Sequence, residues 1–395
     1  MAPRVRSHRA RFLWIEPGRV YAPGELRVAG GRVVGAGPAR GPVTQSRAIF
    51  PSFVNAHVHL QIPALTSGEL AFVPWVKQVM AARRSTTSEG HLATAESHLD
   101  QLLDEGVGAV GEVDSTGLSP KVLSQRAVGG VCYQEVTGFD VYGDEAATLL
   151  RERRVPGTRT CRSGISPHAP YSVSADLFHA AAATGFPLAV HVAETAEEER
   201  FLQTGDGPFR DLLLELGRLP GTYRHPEMSS VAWLDTLGLL GPRTALIHAQ
   251  CMSAADAELV AARNAPVVVC PGTIEYFGRP PPPVPRWLAM GIPVALGTDS
   301  RASNVAPLSM RREMAAARRL WPGLTPDSVL AMATVHGGCA LGRPGLGRLR
   351  RGGAASFFTV PLDDGVEHGL EAMTRGELEP DSVWLRGSVW RAGVS

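Results

Sequence analysis

The chain has 395 residues, of which 44% are hydrophobic and 19% are charged, so it can bury the cores of ordinary globular domains. The formal net charge of +1 argues against a nucleic-acid or membrane-surface partner. The cysteines are scattered and form no Cys-x-x-Cys pair. The sequence shows neither an apolar run typical of a signal peptide nor an apolar stretch of bilayer length. These features predict a cytoplasmic protein, and they leave homo-oligomerisation open.

Both ends of the chain predict short strands. Residues 11–50 contain apolar stretches separated by Gly-rich turns. The same pattern occurs after residue 340, in the segments AASFFTVPL and SVWLRGSVWRAG. Between these ends, residues 51–340 alternate short apolar runs with longer Ala- and Leu-rich helical patterns, which is typical of repeated strand–helix units.

Eight apolar runs lie in this middle part, at 51–60, 106–115, 129–136, 161–170, 187–194, 244–250, 265–272 and 293–300. Eight parallel strands with helices outside form a (β/α)8 barrel, and an open doubly wound sheet is the alternative. Polar residues follow most of the runs, which favours the barrel because a barrel gathers the carboxyl ends of its strands on one face. The stretch RPPPPVPRW at 279–287 predicts an extended loop before the eighth strand.

Five polar side chains end these predicted strands. His57 and His59 are two apart in the first strand, so both point the same way with Cα atoms about 6.6 Å apart. His191, His248 and Asp299 end the fifth, sixth and eighth strands and would also face the barrel mouth. Three imidazoles, one carboxylate and an open position suit a catalytic zinc-type site, with chance as the alternative. The predicted metal ligands are therefore among these five residues.

The motifs around these residues resemble those of the amidohydrolase superfamily. They are Asn-Ala-His-Val-His-Leu, His-Val-Ala-Glu, Ile-His-Ala-Gln, Cys-Pro-Gly-Thr and Gly-Thr-Asp-Ser in predicted strands one, five, six, seven and eight. The most similar branch holds the cytosine, S-adenosylhomocysteine and aminodeoxyfutalosine deaminases, with triazine hydrolases as relatives. The resemblance implies a TIM-type barrel with hydrolase activity at 51–340, flanked by a small β-sandwich built from 1–50 and 341–395.

The resemblance implies one divalent metal per chain, zinc or alternatively iron(II), held by His57, His59, His191 and Asp299. Two-metal members of the family usually bridge their metals with a carboxylated lysine at the end of strand four. The fourth predicted strand, CRSGISPHAP, has no lysine, and the chain's two lysines, Lys77 and Lys121, lie elsewhere. A mononuclear site is therefore expected.

Catalytic roles also follow from the resemblance. Asp299 would take a proton from the attacking water, and His248 would stabilise the developing oxygen charge. Glu194 would protonate a ring nitrogen and then the leaving amine, with a first-turn helix glutamate favoured by the helix dipole as the alternative. His168 would contact the substrate, with a structural role as the alternative.

The expected reaction is hydrolytic deamination of a small molecule with release of ammonia. Segments such as SPHAPYSVS, HVAETAEEERFLQTGDGPF and GTDSRASN resemble the branch that acts on 6-aminodeoxyfutalosine, an adenine-type nucleoside of menaquinone biosynthesis. S-adenosylhomocysteine, guanine, cytosine and triazines are alternative substrates. The alternative hypothesis from another class is a non-catalytic barrel subunit, and the presence of the ligands and Glu194 argues against it.

Other residues are expected around the site or at the surface. Ser300 would orient Asp299, and Gln61 and Ile274 depart from the family's motifs at positions expected beside the substrate. Four aromatic residues are expected on loops, where they would stack on a base or simply pack: Phe72, Trp75, Tyr276 and Phe277. Four histidines are expected at the surface: His91, His98, His179 and His225.

Overall fold

The computed structural model describes residues 3–43, 46–65, 68, 70–152 and 156–392. The described strands are β1 (Arg6–Ala10), β2 (Phe12–Glu16), β3 (Arg19–Tyr21), β4 (Gly24–Ala29), β5 (Arg32–Pro38), β6 (Arg47–Pro51), β7 (Phe53–His59), β8 (Val107–Asp114), β9 (Gly129–Val136), β10 (Cys161–Pro167), β11 (Leu188–Val192), β12 (Thr244–His248), β13 (Val267–Val269), β14 (Val294–Leu296), β15 (Asp299–Ser300), β16 (Phe357–Pro361), β17 (Ser382–Leu385) and β18 (Ser388–Arg391).

The described α-helices are α1 (Phe72–Ser85), α2 (Ser88–Asp104), α3 (Ser119–Ser124), α4 (Gly143–Glu152), α5 (Ala175–Ala183), α6 (Ala196–Thr204), α7 (Pro208–Glu215), α8 (Ser230–Thr236), α9 (Ala254–Arg263), α10 (Pro271–Tyr276), α11 (Val284–Ala289), α12 (Met310–Leu320), α13 (Pro326–Ala333), α14 (Val335–Ala340) and α15 (Val366–Thr374). Within the described ranges, no helix is both long and apolar enough to cross a bilayer.

A curled parallel sheet forms the centre of this mixed α/β fold. Its strand order is β14-β13-β12-β11-β10-β9-β8-β7-β15. The eight apolar runs of the sequence are all strands of this sheet, and the last run is split at Gly297 and Thr298 into β14 and β15. The sheet therefore begins and ends with residues from one short stretch of chain, and Thr298 N donates to the carbonyl of His57 at 3.0 Å.

The central strands are buried on both faces, as their apolar composition predicts. All eight residues of β8 and all eight of β9 are buried. Polar caps then start the helices that follow strands: the Thr195 side chain accepts from Glu198 N at the start of α6, and Ser253 forms a capping box with Asp256 at the start of α9. These caps fix the chain direction just after the strand ends, where the predicted site residues lie.

The two termini combine in separate sheets, ordered β1-β4-β5 and β18-β17-β16-β6-β2-β3. The C-terminal strand β16 pairs antiparallel with β6, which also pairs parallel with β2. Phe50 stacks on Phe358 with ring centroids 5.6 Å apart, and Phe12 meets Phe50 edge-on. These buried aromatic contacts hold the beginning and the end of the described chain together.

The predicted loop at 279–287 is wrong in its second half, because Val284–Ala289 forms α11. Pro285 lies in the first turn of this helix, where a backbone N–H would have no helical acceptor and the fixed φ of proline is compatible with the helix. Proline therefore starts this short helix instead of preventing it.

Two of the four histidines expected at the surface are packed inside. His91 is buried, and its Nδ1 lies 3.1 Å from Gln61 O. His98 is partly buried, and its Nδ1 lies 2.9 Å from Leu60 O. Both lie on α2 and bind carbonyls of the segment that follows β7, so they anchor this helix beside the strand that carries His57 and His59. His179 is exposed and His225 is partly exposed.

Candidate active site

The polar residues predicted at the strand ends converge on one point. His57 and His59 belong to β7, His191 to β11, His248 to β12 and Asp299 to β15, and all five are buried. Ligand atoms of His57, His59 and Asp299 lie within 4.8 Å of one another, as do those of His57, His191 and His248. The curl of the sheet thus brings together residues that are up to 242 positions apart, from 57 to 299.

The contacts inside this cluster fit a bound cation. Asp299 Oδ1 lies 3.4 Å from His57 Nε2 and 3.8 Å from His59 Nε2, while the Nε2 atoms of His59 and His191 are 3.4 Å apart. Within the described residues, both ring nitrogens of the fully buried His57 lack a hydrogen-bond partner. Because buried polar atoms are normally satisfied, these nitrogens and the facing carboxylate are suited to hold a divalent metal.

The protonation states agree with this role. Burial lowers the pKa of His57 to about 4 and those of His59 and His248 to about 3. Burial raises the pKa of Asp299, but the nearby imidazoles of His57, His248 and His59 outweigh it and hold that pKa well below its usual value. Neutral imidazoles and an ionised carboxylate are the forms that bind metals.

Two hydroxyl groups orient the Asp299 carboxylate. Its Oδ2 accepts hydrogen bonds from Ser303 Oγ at 2.8 Å and from Thr273 Oγ1 at 3.1 Å. The Ser300 hydroxyl, which was expected to orient Asp299, does not contact the carboxylate directly but lies 3.1 Å from Ser303 Oγ, the group that does. With Oδ2 held in this way, Oδ1 faces His57.

The backbone around the cluster adopts unusual conformations. Ala193, His248 and Asp299 have φ values of 48°, 70° and 53°. Positive φ is uncommon outside glycine and costs energy that the surrounding structure must offset. Such conformations gather at functional sites more often than elsewhere.

Glu194 follows β11 and is held by several neighbours. The backbone N–H groups of Ala193 and Glu194 donate to the buried Glu198 carboxylate at 3.0 and 2.9 Å. Arg279 Nη1 lies 3.2 Å from Glu194 O and 3.4 Å from its Oε1, and His248 Nε2 lies 3.8 Å from its Oε2. Sequence patterns did not identify Glu198 or Arg279, because both contacts depend on loop conformations.

The buried environment of Glu194 shifts its protonation equilibrium toward the acid form. Burial raises the pKa of Glu194, and Arg279 opposes that rise without cancelling it. A larger fraction of this carboxyl is therefore protonated near neutral pH than in an exposed glutamate. The alternative of a first-turn helix residue does not apply, since Glu194 precedes the N-cap Thr195 of α6.

The cluster opens into a cavity of about 590 Å³. Asp299, Glu194 and His248 lie in its wall together with apolar side chains from several elements. Phe72 and Trp75 line it from α1, not from a loop as expected. Other lining residues are Phe139, Tyr171, Phe209, Leu212, Arg84 and Arg218.

Several residues expected at the pocket lie elsewhere among the described residues. Tyr276 belongs to α10 and Phe277 caps it, and neither lines the cavity. Gln61 is buried with its amide donating to Val113 O at 3.1 Å, and Ile274 is also buried outside the lining. These departures from the family's motifs therefore do not change the cavity wall directly.

His168 contributes to the site through both its backbone and its side chain. Its carbonyl lies 3.0 Å from His191 Nδ1, so that nitrogen carries the proton and His191 Nε2 is left as a lone-pair donor. The His168 ring lines the cavity, and its Nδ1 lies 2.8 Å from Ser172 Oγ. The two interpretations of His168, substrate contact and structural support, are therefore compatible.

A sequence model of the amidohydrolase family matches residues 48–389. An aminodeoxyfutalosine deaminase of Deinococcus radiodurans is 32% identical over 82% of this chain and 83% of that protein. A 5-methylthioadenosine/S-adenosylhomocysteine deaminase of Nitratidesulfovibrio vulgaris is 30% identical over 87% of this chain and 80% of that protein.

Solved structures share the fold. An aminofutalosine deaminase of Helicobacter pylori in complex with methylthio-coformycin superimposes with a TM-score of 0.85 at 18% identity, covering 97% of this chain and 99% of that one. An adenosine deaminase of Xanthomonas campestris with bound zinc gives a TM-score of 0.81 at 21% identity, covering 98% and 92%.

Proposed function

The chain belongs to the amidohydrolase family, and from that membership we propose that it deaminates an adenine-type nucleoside, most specifically 6-aminodeoxyfutalosine. It is a hydrolase that acts on C–N bonds, as its deaminase relatives indicate. The observation that carries the proposal is the buried Glu194 beside His248 and Asp299 in one cavity wall. This arrangement can deliver a proton to a ring nitrogen while a base removes one from water.

The same proposal includes the domain organisation. The curled sheet at 51–340 is a closed (β/α)8 TIM-type barrel, and segments 1–50 and 341–395 form a small β-sandwich beside it. The pairing of β15 with β7 and of β16 with β6 supports this division. The carboxyl ends of the barrel strands then carry the chemistry, as in other barrels of this kind.

We assign the metal to His57, His59, His191 and Asp299, with one zinc ion per chain and iron(II) as the alternative. When bound, such a metal lowers the pKa of a coordinated water toward about 7. Asp299 accepts the water proton through the carboxylate that Ser303 and Thr273 hold in place. The absence of lysine from β10 supports a single ion.

Glu194 and His248 carry out the remaining steps of the proposed reaction. Glu194 donates its proton to the ring nitrogen next to the amine-bearing carbon, which makes that carbon more electrophilic. The proton that Asp299 takes from water then passes through Glu194 to the leaving amine, which departs as ammonia. The hydroxyl proton released as the new carbonyl forms restores Glu194 to its acid form. His248 donates a hydrogen bond to the oxygen that enters the ring and stabilises its developing charge. The apolar walls from Phe72 and Trp75 exclude water and cover the planar base.

Metal analysis of the purified protein is expected to find about one divalent ion per chain. The four proposed ligands supply one set of donor atoms, and β10 offers no bridging lysine. Inductively coupled plasma mass spectrometry and activity after chelation and re-addition of zinc test this expectation. Two tightly bound ions per chain would contradict the mononuclear assignment.

The substrate assignment is tested by ammonia release. We expect 6-aminodeoxyfutalosine to have a kcat/KM at least about tenfold above adenosine, cytosine and guanine, since two or three extra contacts in the outer cavity are worth a factor of that size. Among nucleosides, 5-methylthioadenosine and S-adenosylhomocysteine serve as the rival pair, because relatives with those names are also similar. If any rival were turned over better, that compound would be assigned as the substrate, and the assignment of the hydrolytic site would stand.

A further inference from the structure

Glu313 is a buried carboxyl group that the proposed proton transfers do not use. It lies in the first turn of α12, is 2% exposed, and is not part of the described lining of the cavity. Its Oε2 accepts the backbone N–H of Gly272 at 2.8 Å. Burying a carboxyl group away from the substrate is costly, so its position requires a physical explanation.

The surroundings of Glu313 favour its neutral form. Burial raises the pKa of Glu313 to about 8, and the charges of Asp299 and Glu275 act in the same direction. The hydrogen bond from Gly272 and the charge of Arg319 oppose this rise without cancelling it. Near neutral pH the side chain is therefore mostly a carboxylic acid, which has one proton to donate as well as an oxygen that accepts.

Asn304 joins the two carbonyl groups on either side of Asp299. Its Nδ2 donates to Thr298 O at 2.8 Å and to Ser300 O at 3.1 Å. Because both partners are acceptors, the amide nitrogen must face them, and Oδ1 must face away. Between these carbonyls Asp299 has a φ of 53°, a conformation that costs energy outside glycine. The Asn304 amide therefore stabilises the strained backbone that carries the Asp299 carboxylate.

The side chains of Asn304 and Glu313 meet over Gly272. A Cβ atom on Gly272 would lie 2.3 Å from Asn304 Oδ1 and 2.6 Å from Glu313 Oε1, so both oxygens face the same side of this glycine. An amide oxygen can only accept a hydrogen bond. The proton of the neutral Glu313 side chain supplies the donor that this meeting of two oxygens needs.

The segments that Glu313 contacts also carry the hydroxyl groups that orient Asp299. Thr273 follows the backbone N–H that Glu313 binds, and Ser303 precedes Asn304. Their hydroxyls donate to Asp299 Oδ2 at 3.1 and 2.8 Å. A shift of either segment would therefore turn the carboxylate.

We propose that Glu313 and Asn304 are positioning residues that hold Asp299 in the orientation needed to bind the metal and accept a proton. Glu313 Oε1 donates its proton to Asn304 Oδ1 while Oε2 accepts the N–H of Gly272, so α12 fixes the segments on both sides of the carboxylate. This inference rests on the proposed function, in which Asp299 is a metal ligand and the base.

The test measures the Kd for zinc by competition with a chelator, and kcat and KM for 6-aminodeoxyfutalosine. Glutamine keeps an acceptor for the Gly272 N–H and a donor for Asn304 Oδ1, so Glu313→Gln is expected to stay within about threefold of wild-type protein. Glu313→Ala and Asn304→Ala are each expected to weaken zinc binding and lower kcat roughly 10–100-fold, as for other outer partners of metal ligands. KM should change less than about twofold, since the described lining of the cavity includes neither side chain.

Glu371→Gln is the matched control for a loosened α12. It removes the 2.7 Å ion pair between Glu371 of α15 and Arg318 of α12 without touching Glu313, and it is expected to leave zinc affinity and kcat within about twofold. The losses of Glu313→Ala and Asn304→Ala should not multiply in the double variant, because the two residues act through one contact.

Three results would overturn the proposal. They are a Glu313→Gln variant that binds zinc as weakly as Glu313→Ala, an Asn304→Ala variant with wild-type zinc affinity, and equal damage in Glu371→Gln. If Glu313→Ala does not fold, the zinc affinities of Glu313→Gln and Asn304→Ala decide. Wild-type protein that binds one zinc but releases no ammonia would overturn the proposed reaction, whereas the zinc affinities of the variants would still support or overturn the positioning role.

Discussion

Replacing Glu194 with glutamine is expected to lower kcat by roughly 10²–10⁴, the range for a general acid–base group. Glutamine has nearly the same shape and still accepts a hydrogen bond from Arg279, but it has no acidic proton for a ring nitrogen. The Glu198 carboxylate binds the backbone N–H groups of residues 193 and 194, so the backbone position does not depend on the Glu194 side chain. Steady-state kinetics with 6-aminodeoxyfutalosine measures the loss.

Two controls separate chemistry from folding. Glu197→Gln changes a partly exposed residue in the first turn of α6 and is expected to leave kcat within about twofold, as for most surface substitutions. Metal content and thermal unfolding of Glu194→Gln should match those of wild-type protein. Normal turnover by Glu194→Gln would remove it from the mechanism, and metal loss would indicate a structural role instead.

The sequence predicts the positions of the site histidines because they lie at the ends of regular strands. A strand of alternating side chains places His57 and His59 on one face, and parallel strands gather their carboxyl ends at one edge. Asp299 is predicted by the same argument, although it lies in a strand fragment of two residues. Local pattern and topology thus determine this part of the site.

Other parts of the site depend on contacts that no local pattern encodes. Thr273 lies in α10 and Ser303 in a short 3-10 turn, and both reach Asp299 only because their segments pack over β15. Arg279 belongs to a proline-rich stretch whose path decides that it meets Glu194. Glu135 lies beside Gln134 near the end of the buried strand β9, and sequence alone does not indicate that Glu135 lines the cavity.

The wrong predictions have a related cause. His91 and His98 lie in a helix rich in polar residues, and the sequence gives no sign that carbonyls of the segment after β7 would accept their protons. Phe72 and Trp75 were expected on a loop, yet they start α1 without a side-chain N-cap. A helix with a weak start signal is stabilised by tertiary packing, which local propensity does not report.

Asp299→Asn is expected to produce the largest loss, toward about 10⁴-fold in kcat, the upper end for removal of a general base. Asparagine keeps the shape and tolerates the positive φ of 53° at this position, so the backbone is retained. It lacks the charge that attracts a divalent ion, and its amide cannot accept the water proton. Metal content should therefore fall together with activity.

A graded variant distinguishes this explanation from general damage. Ser303→Ala removes the 2.8 Å hydrogen bond to Oδ2 but leaves the carboxylate and the contact from Thr273. Loss of such an outer partner typically costs 10–100-fold in metal affinity or activity, so Ser303→Ala should fall between wild-type protein and Asp299→Asn in both measurements. If Asp299→Asn retained more than about a tenth of wild-type activity with full metal content, Asp299 would be neither the base nor a required ligand, and the proton acceptor would have to be sought among the neighbouring histidines.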